Sequence, residues 1–396
     1  MNIKTITICG SGNAAHAMIP IIKSNFNCQI NLFFRYQHKV DIFQRIIDER
    51  RVITAVQGKE ELYGRPDKVS RFPEEVCQDA DLILLPLPAF AQESVLLQII
   101  PFLKNEVIIG SIPARGGFEY SLLKVLKSVT DKKIKFFGLQ TLPWACRTRE
   151  YASKVDILGK KDIVGLAALP REATLELSEI LTLLLKIKME SIPNMLTLTL
   201  ANIGQIVHPG IMYGLFKGNE NRKYKKEEIP LFYQGVTSDI AKTLANMSND
   251  MLTLTRKLQN RFKNIDLTKV LSLEDWLISS YKNSIVDGRT LETCFVTNQA
   301  YQGLYAPMKN LENGYYKPDF QSRYLTEDVP FGLIVSKAIA LLAQVDTPTI
   351  DEVIITVSKW MKKEYLVHGD VKGRDISETR IPQNYDLNNL EQIINL

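Results

Sequence analysis

Histidine is scarce in this chain, as are tryptophan and cysteine. Four histidines (His16, His38, His208 and His368), three tryptophans and five cysteines are spread over 396 residues. The cysteines (Cys9, Cys28, Cys77, Cys146 and Cys294) are odd in number, widely spaced and never in a CxxC pair. That argues against a disulfide framework and a cysteine-based zinc site, and no metal is expected. A reducing, cytoplasmic setting fits these thiols. No apolar stretch approaches the ~20 residues of a membrane span. A strand-like run from Ile3 stands where a leader would be, so no signal peptide is expected. Long tracts of one charge are also missing. Forty-nine Lys and Arg against 44 Asp and Glu leave a net charge of +5. The one basic run, Arg222-Lys223-Tyr224-Lys225-Lys226, reads as a solvated loop rather than a nucleic-acid surface. With neither membrane nor nucleic acid as partner, small-molecule chemistry remains.

A hydrophobic content of 45% and a charged content of 23% are those of a globular protein, and the length calls for two domains. In the first half, short apolar runs alternate with helical patterns. Ile3–Cys9, Gln29–Phe34, Leu82–Leu87, Val107–Ile112 and Ile134–Leu139 read as strands, the inner ones apolar throughout, as buried parallel strands are. A doubly wound α/β Rossmann domain is predicted over residues 1–195. Beyond it the texture is helical, over 197–206, 236–262, 273–282, 331–343 and 349–363. An all-helical C-terminal domain is predicted over 200–396.

The turn after the first strand reads Gly10-Ser11-Gly12-Asn13-Ala14-Ala15-His16. In the pattern GxGxxA, Gly10 permits the tight turn, Gly12 lets a pyrophosphate reach the backbone, and Ala15 lets the helix pack closely. The helix N-terminus then offers free N–H groups to phosphate. Set after a strand and before a helix, the motif predicts dinucleotide binding; a bare structural turn is the alternative. The second strand ends in Phe34-Arg35-Tyr36 with no acid before Asp41. Arg35 alone leans toward a 2′-phosphate, though stacking on adenine is equally consistent.

Of the histidines, His208 sits in an apolar helical stretch, Gln205-Ile206-Val207-His208-Pro209-Gly210. Proline after it biases the histidine away from helix, so an interrupted helix is predicted there. An imidazole takes and gives protons near neutral pH, and a carboxylate beside it would hold its tautomer. Asp328, in Arg323-Tyr324-Leu325-Thr326-Glu327-Asp328-Val329-Pro330, is a candidate carboxylate, and Arg323 a candidate clamp for a substrate acid. The bland readings are a core histidine on a carbonyl, an N-cap acid before a helix, and a surface ion pair. Gln140-Thr141-Leu142-Pro143-Trp144-Ala145-Cys146-Arg147 and Ser111-Ile112-Pro113-Ala114-Arg115-Gly116-Gly117 follow strands, at the edge where open α/β sheets bind ligands. For Trp144 the competing reading is an aromatic packing residue at the domain interface.

Taken together, GSGNAAH, LPAFAQE, TLPWACR, VHPGI, PLFYQG, SRYLTEDVP and KEYLVHGD resemble the opine dehydrogenases, in particular their octopine dehydrogenase-like branch, over nearly the whole length. The resemblance implies NADH-dependent reductive condensation of pyruvate with an amino compound in a cleft between a Rossmann and a helical domain. It implies regeneration of NAD when oxygen is short, and a monomer. It makes His208 and Asp328 the acid–base pair and Arg323 the pyruvate clamp. It puts Gly10, Gly12, Asn13, Ala14 and Ala15 at the pyrophosphate, and Trp144, Cys146 and Trp276 near the amine pocket with Gln140 and Thr141. NADH overrides the lean from Arg35. Gln140 stands where the arginine-using branch carries an acid, and Arg115 where it carries a neutral amide. Both changes make the site less anionic. A small zwitterion is therefore expected as the amine, taurine first, then glycine, alanine or β-alanine. A plain 2-hydroxy-acid or 3-hydroxyacyl dehydrogenase, and a catalytically silent NAD-binding protein, are the other readings.

Overall fold

Each inner strand of the first half sends alternate side chains into two separate cores. Leu82 and Leu84 join Ile6, Ile8, Ile30 and Leu32 on one face, while Ile83 and Leu85 join Cys9, Phe33 and Ile109 on the other. A strand covered on both faces has no polar side, which explains the unbroken apolar runs. The computed structural model describes residues 3–129 and 131–396. The chain forms two compact units, one of residues up to Ala114 and Phe118–Leu198, the other of Arg115–Gly117 and Thr199–Leu396.

The first unit holds twelve strands among the described residues: β1 Thr5–Cys9, β2 Gln29–Phe33, β3 Ile53–Gln57, β4 Glu60–Gly64, β5 Lys68–Ser70, β6 Leu82–Leu85, β7 Ile108–Ser111, β8 Lys135–Leu139, β9 Trp144–Glu150, β10 Lys154–Lys160, β11 Ile163–Leu169 and β12 Lys188–Ser191. Eight form one sheet in the order β12-β11-β8-β7-β6-β1-β2-β5. The order reverses at β1, between β2 and β6, and the carboxyl end of such a strand is where doubly wound sheets bind ligands. The sheet is not parallel throughout. β11 runs antiparallel to β8, because the chain returns through the β9–β10 hairpin instead of a crossover helix. A second sheet, β4-β3-β10-β9, was not foreseen.

The second unit is helical, with one short hairpin, β13 Met308–Asn310 and β14 Tyr316–Pro318, that an all-helical expectation omits. Its longest helix, Ser238–Arg261, is capped by Thr237 and buries Ile240, Leu244, Met247, Met251, Leu254 and Leu258 along one stripe. Against it lies the helix Gly204–Phe216, which carries His208. The predicted interruption does not occur, and the helix runs through Pro209. Gly210 and Gly214 serve packing instead. A Cβ on Gly210 would come 2.5 Å from Leu244 Cδ2, and one on Gly214 2.5 Å from Ile240 Cγ1.

The segment Arg115–Gly117 belongs to this unit although the surrounding chain does not, a detail that a boundary near residue 200 cannot express. Gly116 N donates to Phe331 O at 2.8 Å and Gly117 N to Thr199 Oγ1 at 3.3 Å.

Candidate active site

At the end of β1, Gly10 takes φ +109, a value that L side chains rarely adopt, and a Cβ there would lie 2.8 Å from Leu87 Cδ2. Gly12 is exposed, with no atom within 4 Å of a Cβ position. Open space over a helix N-terminus that has no side-chain cap is what a pyrophosphate requires. Ala14 and Ala15 are buried in the helix behind it, and the exposed Asn13 accepts from Thr148 N at 3.0 Å through Oδ1. Beside the turn, a cavity of about 370 Å³ is lined by Gly10, Ser11, Phe34, Arg35, Tyr36, Lys39 and Phe90 among others. These residues fit a nicotinamide dinucleotide, the apolar walls matching an adenine and the turn the phosphates.

His16, passed over in the sequence, is fully buried. Its Nδ1 lies 3.0 Å from Gly12 O, and Ala152 N donates to Nε2 at 2.9 Å. These contacts define a neutral ring with its proton on Nδ1. Burial lowers its pKa, more than the bond to Gly12 raises it. His16 therefore pins the glycine turn's helix to the loop after β9. The sequence had singled out His208 alone as having partners.

In the helical unit, His208 Nδ1 lies 2.7 Å from Asp328 Oδ2 across 120 residues of sequence. The Asp328 side chain is 2% exposed and that of His208 18%. Asp328 stands at the entry to a wide turn, Val329–Leu333, closed by Leu333 N donating to Asp328 O at 3.0 Å. Its carboxylate does not cap that turn and is left for the imidazole. Such i→i+5 turns recur at functional sites. Burial alone would raise the Asp328 carboxyl, yet Arg115, His208 and Arg323 together hold it below 3.8. On the other ring nitrogen, Nε2 lies 3.2 Å from Tyr233 OH. Burial, with neighbouring Tyr324 and Tyr281, pushes that phenol well above 10, so it stays a donor. Tyr324 stacks on the imidazole at 4.2 Å and 10°.

The arginines divide. Arg323 has a side chain 60% exposed, and its Nε donates to Glu327 Oε2 at 2.7 Å. It is anchored at one edge and open to solvent elsewhere, which suits a clamp for an incoming carboxylate. Arg115 instead lies behind the dyad, with Nη1 2.7 Å from Asp328 Oδ1 and Nε 3.5 Å from Glu327 Oε1. It was expected to add positive charge for substrate, but two buried acids already neutralise it.

Trp276 packs edge-on against Tyr281 at 5.8 Å. Tyr281 meets Tyr301, and Tyr301 stacks on Tyr233 at 4.0 Å, so Trp276 connects to His208 through a series of rings. Gln140, Thr141 and Cys146 lie half-buried in the first unit. Trp144 does not offer a wall there. At 3% exposure it belongs to the core of the first unit. Lys161 was missed. Its Nζ donates to Leu142 O at 3.0 Å, and burial lowers the ammonium to about 8. Glu327, Tyr233 and Tyr324 were missed as well. The signal available was their presence in the strings TEDVP, LFYQG and SRYLT.

A dinucleotide turn on one unit and a His–Asp pair with an open arginine on the other define a nicotinamide-dependent oxidoreductase acting on a small acid. Known proteins specify the class further. The family described as NAD/NADP octopine/nopaline dehydrogenase, alpha-helical domain, matches residues 191–361. A tauropine dehydrogenase of Arabella iricolor is 31% identical over 98% of this chain and 99% of its own. An opine dehydrogenase of Haliotis discus hannai is 32% identical over 99% and 98%. An octopine dehydrogenase solved with NADH and agmatine superposes with a TM-score of 0.91 at 28% identity, covering 99% of this chain and 98% of that one. The chain belongs to the opine dehydrogenases, NAD-dependent oxidoreductases acting on a CH–NH linkage.

Proposed function

We propose that this enzyme joins pyruvate to the amino group of a small zwitterion with an anionic tail, taurine foremost and then alanine, glycine or β-alanine, and reduces the resulting imine. The observation that carries the reading is the 2.7 Å contact between His208 and a buried Asp328, with Arg323 tied to the adjacent Glu327. Arg323 holds the pyruvate carboxylate. His208 Nε2 takes a proton from the substrate ammonium, so that the freed amine attacks the keto carbon. The C–N bond forms, and the imidazolium returns the proton to the carbinolamine hydroxyl, which leaves as water. Asp328 steadies the charged ring throughout. NADH, when bound at the Gly10–Ala15 turn, supplies the hydride that completes the secondary amine. One solvent proton is consumed per turnover.

Gln140 carries no charge to receive a guanidinium, whose burial without a partner is costly. Lys161, from the connection between β10 and β11, donates to the carbonyl of Leu142 in the same loop as Gln140. An ammonium there favours a sulfonate or carboxylate. A cytoplasmic monomer regenerating NAD in anaerobic glycolysis is consistent with five free cysteines. No helix among the described residues is long and apolar enough to cross a membrane.

The test is the loss of NADH absorbance with pyruvate and single amines. Oxidation should require an amine, with kcat/KM for taurine roughly tenfold or more above that for arginine, a difference of about 1.4 kcal/mol in transition-state binding. Oxidation without amine would make this a hydroxy-acid dehydrogenase, and a preference for arginine would overturn the assignment of the tail.

A further inference from the structure

The two oxygens of the Asp328 carboxylate serve different cations. Oδ2 meets His208, and Oδ1 meets Arg115 Nη1, each at 2.7 Å. The Arg115 side chain is 16% exposed, and its Nη1 also donates to Asn202 Oδ1 at 3.2 Å. The backbone around it is fixed by Gly116 on Phe331 O and Gly117 on Thr199 Oγ1. Gly204 leaves the room: a Cβ there would stand 3.1 Å from Arg115 Nη1 and 3.2 Å from Asp328 Oδ1. We propose that Arg115 is a positioning residue of the acid–base pair, orienting Asp328 and setting how tightly that carboxylate holds the imidazolium, and that it does not bind substrate. This rests on His208 being the acid–base group.

A carboxylate shared by two cations gives less to each than one that serves a single cation. His208 is faced by Asp328 on Nδ1, Tyr233 on Nε2 and the ring of Tyr324. The remaining charges of this cluster, Arg115, Glu327 and Arg323, bear on it through or beside Asp328. Tyr233 is held as a neutral donor. Of the four charged groups, Arg115 is the cation bound directly to Asp328. Removing it leaves Asp328 wholly to His208 and removes a nearby positive charge, and both changes favour the protonated ring. It also frees the carboxylate to rotate, which misplaces the imidazole. Small misplacements of a reacting group are costly in turnover.

Full-length Arg115→Gln and Arg115→Lys test this by two readouts. One is the protonation midpoint of His208 in the resting protein, followed by NMR of the imidazole C–H signals and assigned with His208→Ala. The other is kcat and KM against pH. Arg115→Gln should move the midpoint up, shift the pH of half-maximal kcat with it, and lower kcat roughly 10- to 100-fold, while KM for pyruvate and amine stay near wild type. Arg115→Lys should restore the midpoint, because the charge returns. Its kcat should stay low, because an ammonium cannot present separate nitrogens to Asp328 and Glu327 as Nη1 and Nε do. An unmoved midpoint with a raised KM for either substrate would overturn the proposal and make Arg115 a substrate contact. If Arg115→Gln does not fold, Arg115→Lys decides: wild-type kcat with raised KM overturns the proposal, and lowered kcat with unchanged KM upholds it. The midpoint is read without turnover, so a failure of His208 as the acid–base group is distinguishable from a failure of Arg115 to act on it.

Discussion

Arg323 and Arg115 both pair with Glu327 but under opposite conditions of exposure, and their roles follow from that. Arg323 keeps most of its side chain in solvent and can receive a carboxylate at its open edge. Arg323→Ala should raise KM for pyruvate roughly 10- to 100-fold, the cost of a charge-assisted bond, with a smaller change in kcat and in KM for the amine. Steady-state kinetics with each substrate varied in turn checks this; a change confined to the amine would remove Arg323 from pyruvate binding. At this scale the sequence was informative where chemistry limits the choice. With four histidines in the chain, finding His208 took little, and an acid beside an arginine pointed to Asp328. Arg115 was noticed as a substrate cation, without its acid partners. Its neutralisation by Glu327 and Asp328 is a contact across more than two hundred residues, and no local pattern encodes it. Trp144 failed differently, since an aromatic after a strand packs inward as readily as it lines a cleft.

Among the elements, β1, β2, β6, β7 and β8 of the main sheet and the long helices were legible because their apolar patterns are strong, whereas β5, β11 and β12 were not. Two places misled. Pro209 reads as a break, yet the helix persists because its neighbours, through Gly210 and Gly214, pack it against Ser238–Arg261; tertiary packing outweighed the local bias of a residue before proline. The turn Val329–Leu333 looked like a capped helix start, but its entry residue turns its carboxylate to His208.

His16 makes a prediction about the first helix. Unfolded, this imidazole takes a proton near its ordinary 6.5; folded, burial holds it neutral to lower pH. The unfolded state therefore binds more protons below about pH 6.5, and the first unit should lose stability as pH falls through that value. In His16→Gln that slope should vanish, with an overall loss of roughly 1–3 kcal/mol for the unpaired Ala152 N–H. Thermal unfolding from pH 7.5 to 5 measures both, and an unchanged slope in the variant would assign the pH dependence elsewhere.

Over the whole molecule, a dinucleotide unit followed by a helical unit was readable from the change in texture near residue 195. The sheet β4-β3-β10-β9 was not, because its strands are half-polar and set among loops, without the apolar run that marks β6. Nor was the membership of Arg115–Gly117 in the helical unit, which a single cut along the chain cannot describe. That three-residue excursion brings a guanidinium from the first strand-and-helix half to the acid–base pair. The central claim is that His208 moves the protons. In His208→Ala, turnover with pyruvate and the preferred amine should fall roughly 10²- to 10⁴-fold, while NADH affinity, read by nucleotide fluorescence, stays near wild type. Intact turnover with lost NADH affinity would contradict the account.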